Sequence, residues 1–128
     1  MVTHTNKLLL KEAVSDASQQ WQDAFNDGDA RACAALYEED AVMHAVPFGI
    51  YCGRETIQTF WRQLIEDGFS DITYLNTNIK VINEHQAVLT ANWIMNKASG
   101  VIHKEMWVKQ DDGSVKLSED HFEACLLY

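Results

Sequence analysis

Apolar residues recur at helical spacing in two long segments of the chain. The first segment begins at Leu10 and stops at Asn26-Asp27-Gly28, a sequence typical of the C-terminal cap of a helix. The second lies between Gly53 and Gly68 and follows the i, i+3, i+4, i+7, i+8 pattern of a helix with one broad buried face. Its apolar positions are Ile57, Phe60, Trp61, Leu64 and Ile65. We therefore predict two long amphipathic helices.

A short helix and a short strand are predicted between these two helices. Asp29 can cap a helix that runs to Tyr37, because an aspartate side chain accepts hydrogen bonds from the free N–H groups of a first helical turn. The acidic residues 38–40 then predict a turn. Residues 41–46 predict a short strand that ends at Pro47.

The chain after Gly68 has the composition of β-strands. Val, Ile, Thr, Tyr and Trp are concentrated in four segments, residues 69–82, 87–97, 101–110 and 115–127. The breaks at 83–85, 98–100 and 111–113 are short enough for antiparallel hairpins. Because strands of this length must twist and coil, the sheet can wrap around the helices as a cone. The predicted fold is α+β, with three N-terminal helices in the concave face of a strongly curved, mostly antiparallel sheet, and a pocket at its open end.

Composition predicts one domain and excludes several classes of partner. A chain of 128 residues with 47% hydrophobic residues suits a single domain, residues 1–128, with a substantial core. Ten Lys and Arg residues against 19 Asp and Glu residues give a formal net charge of −9. We therefore expect no binding to nucleic acid or to anionic membrane surfaces. The apolar run near the N-terminus is too short for a signal peptide or a membrane span, so we expect a cytoplasmic protein.

The cysteines and histidines do not form a recognisable metal motif. Cys33, Cys52 and Cys125 are odd in number and widely spaced, which predicts reduced, partly buried thiols with a structural role. His103 and Glu105 could share one strand face, but no dense set of ligands surrounds them. We expect neither a metal ion nor another cofactor.

Four stretches of the sequence resemble landmarks of the nuclear transport factor 2-like superfamily. They are WQDAFNDGD at 21–29, LYEEDAV at 36–42, GRETIQTFW at 53–61 and WVKQDDG at 107–113. Within the superfamily the chain is most similar to the polyketide-cyclase-like (SnoaL-like) proteins and the ketosteroid isomerase group. The resemblance implies a cystatin-like α+β barrel, a pocket on the concave face and a second subunit on the outer face. Enzymes, transport adaptors and association domains share this scaffold, so the resemblance does not specify an activity.

Strict alternation divides the strand at 101–109 into two faces. One face holds Val101, His103, Glu105, Trp107 and Lys109, and the other holds Ile102, Lys104, Met106 and Val108. The resemblance places Glu105 where the isomerase holds a protonated acid, and so assigns His103, Glu105 and Trp107 to the pocket. An apolar site would raise the pKa of this carboxyl and let it donate a hydrogen bond. Alternatively, Glu105 only pairs with His103 or Lys109 in a structural network.

Asp120 lies on the last predicted strand, with Phe122 on the same face. The resemblance implies that Asp120 is the acid/base aspartate of the cyclase-like relatives and that Phe122 lines the pocket. A carboxylate beside an aromatic residue on a buried face is costly unless it meets a partner or a ligand. We predict Asp120 as the main catalytic residue. The alternative is a structural hydrogen bond to a tryptophan N–H or a hydroxyl.

His44 and three aromatic residues complete the candidate site. The position that aligns with the isomerase's catalytic base is Ala45, which cannot transfer a proton and argues against that mechanism. His44, beside it, is expected to act as a second acid/base or a donor, since imidazole exchanges protons near neutral pH, or to be structural. Trp21, Tyr37 and Trp61 occupy the positions of the isomerase's tyrosine network and are expected to bind substrate in a wide aromatic pocket, or to be core residues.

Three functions fit these observations. We favour a cofactor-independent lyase, isomerase or cyclase in which Asp120, Glu105 and His44 act on a cyclic or carbonyl-containing metabolite. The first alternative is a non-catalytic module that binds a small apolar molecule in the same pocket. The second is an association domain whose outer sheet face, including Ile102 and Met106, assembles copies of the chain. A homodimer through that face is compatible with all three functions.

Overall fold

Three helices and six strands are present in residues 3–128, the part of the chain that the computed structural model describes. The helices are α1 (His4–Asn26), α2 (Ala30–Ala35) and α3 (Arg54–Glu66). Helix α1 begins six residues before Leu10, because Thr3 accepts a hydrogen bond from the Asn6 N–H at 3.1 Å and caps it. Asp29 caps α2 by accepting from the Ala32 N–H at 3.0 Å, as predicted. No helix in the described part of the chain is long and apolar enough to cross a membrane.

The strands form one curled sheet that does not close into a complete barrel. They are β1 (Tyr37–Val46), β2 (Gly49–Cys52), β3 (Thr73–Val81), β4 (Gln86–Ile94), β5 (Ala98–Lys109) and β6 (Val115–Leu127). Their order is β2-β1-β6-β5-β4-β3, and every neighbouring pair is antiparallel except β1 and β6. The α+β class, the curved sheet and the successive hairpins are confirmed. Strand β2 was not predicted.

Two boundaries differ from the sequence prediction because long-range pairing overrides local preference. Helix α2 stops at Ala35, and Tyr37 already belongs to β1, where it pairs with Leu117 of β6. The acidic residues 38–40 therefore lie in a strand, not in a turn. Residues 98–100 likewise belong to β5. Gly100 is needed there because a Cβ atom would collide with the Glu123 backbone oxygen and the Trp93 ring.

The core lies between the helices and the concave face of the sheet. Helix α1 buries Leu10, Val14, Ala17, Trp21 and Phe25, and α3 buries Ile57 and Trp61. Rings from the two helices pack edge to face, with centroids 4.9 Å apart for Trp21 and Trp61 and 5.8 Å apart for Phe25 and Trp61. Such aromatic pairs contribute on the order of 1 kcal/mol each beyond their burial. These ring contacts fix the position of α1 relative to α3 over the concave face of the sheet. Cys33 is buried, but Cys52 and Cys125 are exposed, which corrects the expectation of partly buried thiols.

One extra residue in β5 changes the faces that strict alternation predicts. Ile102 pairs with Phe122 of β6 and Lys104 pairs with His121, so His103 is a bulge with no partner position. Ile102 is consequently buried on the concave side and His103 is exposed on the convex side. The assignments of His103 to the pocket and of Ile102 to the outer face are both wrong. Beyond the bulge, Glu105 and Trp107 point inward as predicted.

Candidate functional site

A narrow cavity lies between the helices and the concave face of the sheet. Its volume is about 40 Å³, and eight of its lining residues are aromatic. Among the described residues that line it, Glu105 and Asp120 are the only charged ones. Strands β5 and β6 place these two residues directly opposite each other. The cavity is thus apolar and lined mainly by aromatic side chains, with the two carboxyl groups together on the sheet side.

Both carboxyl groups are buried, and in the described part of the chain no cation is paired with them. Glu105 is 3% exposed and Asp120 is 4% exposed. The ion pairs found in residues 3–128 are on the surface, between His103 and Glu123 and between Lys104 and Glu119. Burying a carboxylate without a counter-charge costs several kcal/mol, so such groups either take up a proton or serve a ligand.

Aromatic donors supply the hydrogen bonds of the carboxyl pair. The Tyr37 hydroxyl donates to Asp120 Oδ2 at 2.6 Å and accepts from Trp61 Nε1 at 3.3 Å. Glu105 accepts from Tyr74, whose hydroxyl is 3.1 Å from Oε2, and from Trp107, whose Nε1 is 3.0 Å from Oε1. Among the described residues none donates to Asp120 Oδ1. This oxygen is therefore available to a ligand in the cavity.

The environment separates the pKa values of the two acids. Burial, followed by the negative charge of Asp120, raises the pKa of Glu105 to about 8, and the hydrogen bonds from Trp107 and Tyr74 oppose this shift. Burial raises the pKa of Asp120 to about 6, against the hydrogen bond from Tyr37. At neutral pH the pair therefore holds about one proton, mainly on Glu105. Burial also raises the pKa values of Tyr37 and Tyr74 well above the ordinary range, so both hydroxyls remain donors.

Trp21 carries a buried donor that lacks a partner. The side chain is 4% exposed and lines the cavity, and its indole N–H is buried without a hydrogen-bond partner among residues 3–128. A buried N–H that lacks a partner costs about 1–3 kcal/mol. Because this N–H is itself buried, it does not face the open space of the cavity.

The family model for the SnoaL-like domain matches residues 18–113, three quarters of the chain, including α3, β3, β4 and β5. The chain belongs to the SnoaL-like domain family. A comparison with curated proteins finds no significant match.

Solved structures share the architecture of this SnoaL-like domain. A proposed scytalone dehydratase from Novosphingobium aromaticivorans is 17% identical, with a TM-score of 0.84 over 98% of this chain and 91% of that one. A ketosteroid isomerase-like protein from Erwinia carotovora is 15% identical, with a TM-score of 0.78 over 90% and 95% of the two chains. The hexachlorocyclohexane dehydrochlorinase LinA-type3 from Novosphingobium barchaimii is 13% identical, with a TM-score of 0.80 over 98% and 93%. At these identities the likeness shows the fold alone.

The structure brings together some, but not all, of the residues predicted for the site. Asp120, Glu105, Trp21, Trp61 and Phe122 line the cavity of this SnoaL-like domain. Two other predicted residues, Tyr37 and Trp107, are fully buried and reach the site through their bonds to the carboxyl groups, without lining the cavity.

His44 and His103 lie outside the site and form a row with His121 on the convex face. The His44 and His121 rings are 5.3 Å apart, as are the His103 and His121 rings. His103 also contacts Glu123, with 2.9 Å between Nε2 and Oε1. The structure does not place His44 in the cavity with Asp120 and Glu105, because alternation along β1 points its neighbour Ala45 inward and His44 outward. In residues 3–128 no group of three or more His, Cys, Asp or Glu residues is arranged to hold a metal ion.

Tyr74 belongs to the candidate site but was not predicted from the sequence. It lines the cavity and donates to Glu105, from a strand at the far edge of the sheet. Its alternation with the buried residue Ile72 is a signal that it faces inward. Its partner, 31 positions away along the chain, is visible only once β3, β4 and β5 are assembled.

Proposed function

We propose that this SnoaL-like domain is a cofactor-independent lyase or isomerase that transfers a proton on a small cyclic molecule bearing a carbonyl group. The observation that supports it is the carboxyl pair itself. Two buried acids face one apolar cavity without a cation, and their pKa values of about 8 and about 6 leave one protonated and one ionised at neutral pH. Pairs whose environments separate their pKa values in this way are suited to acid and base roles.

The charge of each acid at neutral pH and its access to the cavity assign the roles of Asp120 and Glu105. Ionised Asp120, with Oδ1 free, takes a proton from the carbon next to the carbonyl, and the C–H electron pair moves toward the carbonyl oxygen. Protonated Glu105 is the donor available to that oxygen as its negative charge develops. Asp120 then returns its proton in one of two ways. In a β,γ-unsaturated ketone the proton goes to the γ-carbon of the dienolate, which gives the conjugated isomer. In a β-hydroxy ketone the enolate electron pair forms a C=C bond and expels the hydroxyl, which takes the proton and leaves as water. A positioned acid/base of this kind accelerates a reaction about 10² to 10⁴-fold.

Deuterium exchange tests proton transfer without knowledge of the final product. The protein is incubated in D₂O with a panel of small cyclic ketones, and the loss of the α-hydrogen signal is followed by ¹H NMR. We expect exchange by the wild type and a rate about 10² to 10⁴-fold lower for Asp120→Asn. Glu119→Gln is the matched control, because Glu119 precedes Asp120 on the same strand but faces solvent. Equal rates for the wild type and Asp120→Asn, or no exchange of any ketone, would contradict the proposal.

A non-catalytic binding module is the second candidate. It is favoured by the hydrogen bonds of the resting protein, which satisfy both oxygens of Glu105 and Oδ2 of Asp120 without a ligand. A module of this kind would bind the same ketones without exchanging their α-hydrogens. Native mass spectrometry distinguishes the two, because a ligand left unchanged after long incubation and bound equally by Asp120→Asn supports the module.

We also propose that a second copy packs against the convex face of the sheet. Val101, Met106 and Val108 are half-buried apolar residues on this face, beside the histidine row. Sedimentation of Met106→Asp against the wild type tests the proposal. A dimer that dissociates in the variant supports it, and an unaltered mass shows that Met106 is not in an interface.

A further inference from the structure

We propose that the ligand carries an apolar substituent, of the alkyl type, that leaves the cavity and lies on a rim formed by Phe48 and Leu127. The inference rests on the ring-binding cavity of the proposed function and adds the chemical class of the molecule that enters it.

The two rim residues line the cavity and are also exposed to solvent. Phe48 and Leu127 line the cavity, yet Phe48 is 46% exposed and Leu127 is 61% exposed. An isolated exposed leucine is ordinary and needs no explanation. Two exposed apolar side chains that continue the wall of a ring-lined cavity are different, since they extend its apolar surface outward.

Both rim residues are held by defined structure. Phe48 lies in the connection between β1 and β2, and its ring is 6.2 Å from that of Phe60 on α3. Leu127 ends β6 and pairs with Ala98, another residue of the cavity wall. The next residue, Tyr128, is bonded through its N–H to the Lys97 carbonyl at 2.6 Å and through its hydroxyl to Ser99 Oγ at 2.8 Å. The rim is therefore present before any ligand arrives.

The size of the cavity requires part of a ligand to lie outside it. Ligand sites in proteins usually enclose about 300–1,000 Å³. The cavity volume of about 40 Å³ is well below the roughly 150 Å³ of an apolar cavity that binds benzene, so it encloses only the edge of a ring that reaches Asp120. The rest of the molecule lies against the exposed part of the lining, which includes Phe48 and Leu127.

The charges of the protein favour an uncharged substituent at the rim formed by Phe48 and Leu127. The cation in the β4–β5 turn, Lys97, is already engaged, since its Nζ donates to the Asp67 carbonyl at 2.9 Å and lies 5.6 Å from the centre of the Phe69 ring. The chain as a whole carries a formal charge of −9, which disfavours an acidic ligand. An alkyl chain matches the rim because its contacts require no charge.

A homologous series of probes tests the inference. The affinities of cyclohexanone and of its 4-methyl to 4-pentyl derivatives are measured by tryptophan fluorescence, since Trp21, Trp61 and Trp93 line the cavity. In the wild type we expect the affinity to rise about 2 to 4-fold per methylene, the gain from partial to full burial of each CH₂. In Phe48→Ser and Leu127→Ser we expect less than about 1.5-fold per methylene, each variant being compared with its own affinity for cyclohexanone.

Controls separate the inference from its alternatives. Leu75→Ser removes a leucine that is 46% exposed but not part of the cavity wall, and should leave the whole series unchanged. Asp120→Asn should abolish deuterium exchange yet keep the increment per methylene, so failure of the proposed chemistry is distinguishable from failure of the rim. Equal increments in the wild type and both serine variants overturn the inference. It is also overturned if Leu127→Ser dissociates a dimer while the increments persist, since the rim would then be covered by a second copy.

Discussion

We predict that the buried carboxyl pair makes the protein less stable as the pH rises through neutrality. The variant Glu105→Gln tests this prediction. A group whose pKa is higher in the folded than in the unfolded state contributes stability at low pH, and this contribution is lost as the pH rises through the folded value. Burial and the charge of Asp120 raise the pKa of Glu105 from 4.5 to about 8. Folded protein therefore binds more protons than unfolded protein between these two values, and the free energy of unfolding falls as pH increases.

The size of this stability change follows from the shift in the pKa of Glu105. At 1.36 kcal/mol per pKa unit, the whole window from pH 4.5 to pH 8 corresponds to a loss of about 5 kcal/mol. Between pH 6 and pH 8 the loss is about 2 kcal/mol. Glutamine has the shape of the protonated acid and does not titrate. The variant should lack this part of the pH dependence, whatever constant change in stability the substitution brings.

Urea unfolding at pH 6, 7 and 8 measures the effect. The wild type should lose about 2 kcal/mol more than Glu105→Gln over this range, because histidines and other groups titrate equally in both. Glu66→Gln, at an exposed glutamate of α3, is the control and should behave as the wild type. Parallel curves for the wild type and Glu105→Gln would show that Glu105 is ionised at neutral pH, and would refute both the pKa assignment and its role as a proton donor.

Three further substitutions test the hydrogen bonds and packing around the cavity. Tyr37→Phe removes the 2.6 Å hydrogen bond to Asp120 and should destabilise the protein by about 1.5–3 kcal/mol at pH 7. It should also move the acid limb of the exchange rate to higher pH, and an unmoved limb would contradict the role of this hydroxyl. Trp21→Phe keeps a ring but removes the buried N–H that lacks a partner, so NMR titration should show cyclohexanone and methylcyclohexane binding changed by the same factor; a loss confined to cyclohexanone would contradict the burial of this N–H. Gly100→Ala should cost about 3 kcal/mol or more in thermal unfolding, since its Cβ meets the Glu123 backbone; a wild-type Tm would exclude that crowding.

The helices and the strand hairpins were predictable because their signals are local. The 3.6-residue period between Gly53 and Gly68 is a property of adjacent turns, and α3 occupies residues 54–66 within it. The cap at Asp29 likewise depends on residues three positions apart. Alternation along β6 placed Asp120 and Phe122 on one buried face for the same reason.

The bulge at His103 was not predictable from this strand alone. A bulge is defined by the register of two strands, and the residues that β5 pairs with in β6 lie across a hairpin. One extra residue reverses the alternation of side chains, so the faces predicted for Ile102 and His103 were wrong. The inward face predicted for Glu105 and Trp107 is correct, because the resemblance placed Glu105 in the pocket independently of alternation.

The sequence by itself determined the family and the charge of this protein: an acidic SnoaL-like domain, with Glu105 and Asp120 on strand faces that alternation and resemblance point inward. Only the tertiary structure decided which groups surround those acids. Tyr37 lies 83 positions from Asp120, and Tyr74 lies 31 positions from Glu105. These contacts form because the sheet curls and brings distant strands to one cavity, and the burial that results sets the protonation of the pair. Local patterns encode elements, whereas pKa values and cavities arise from packing between elements that no local pattern specifies.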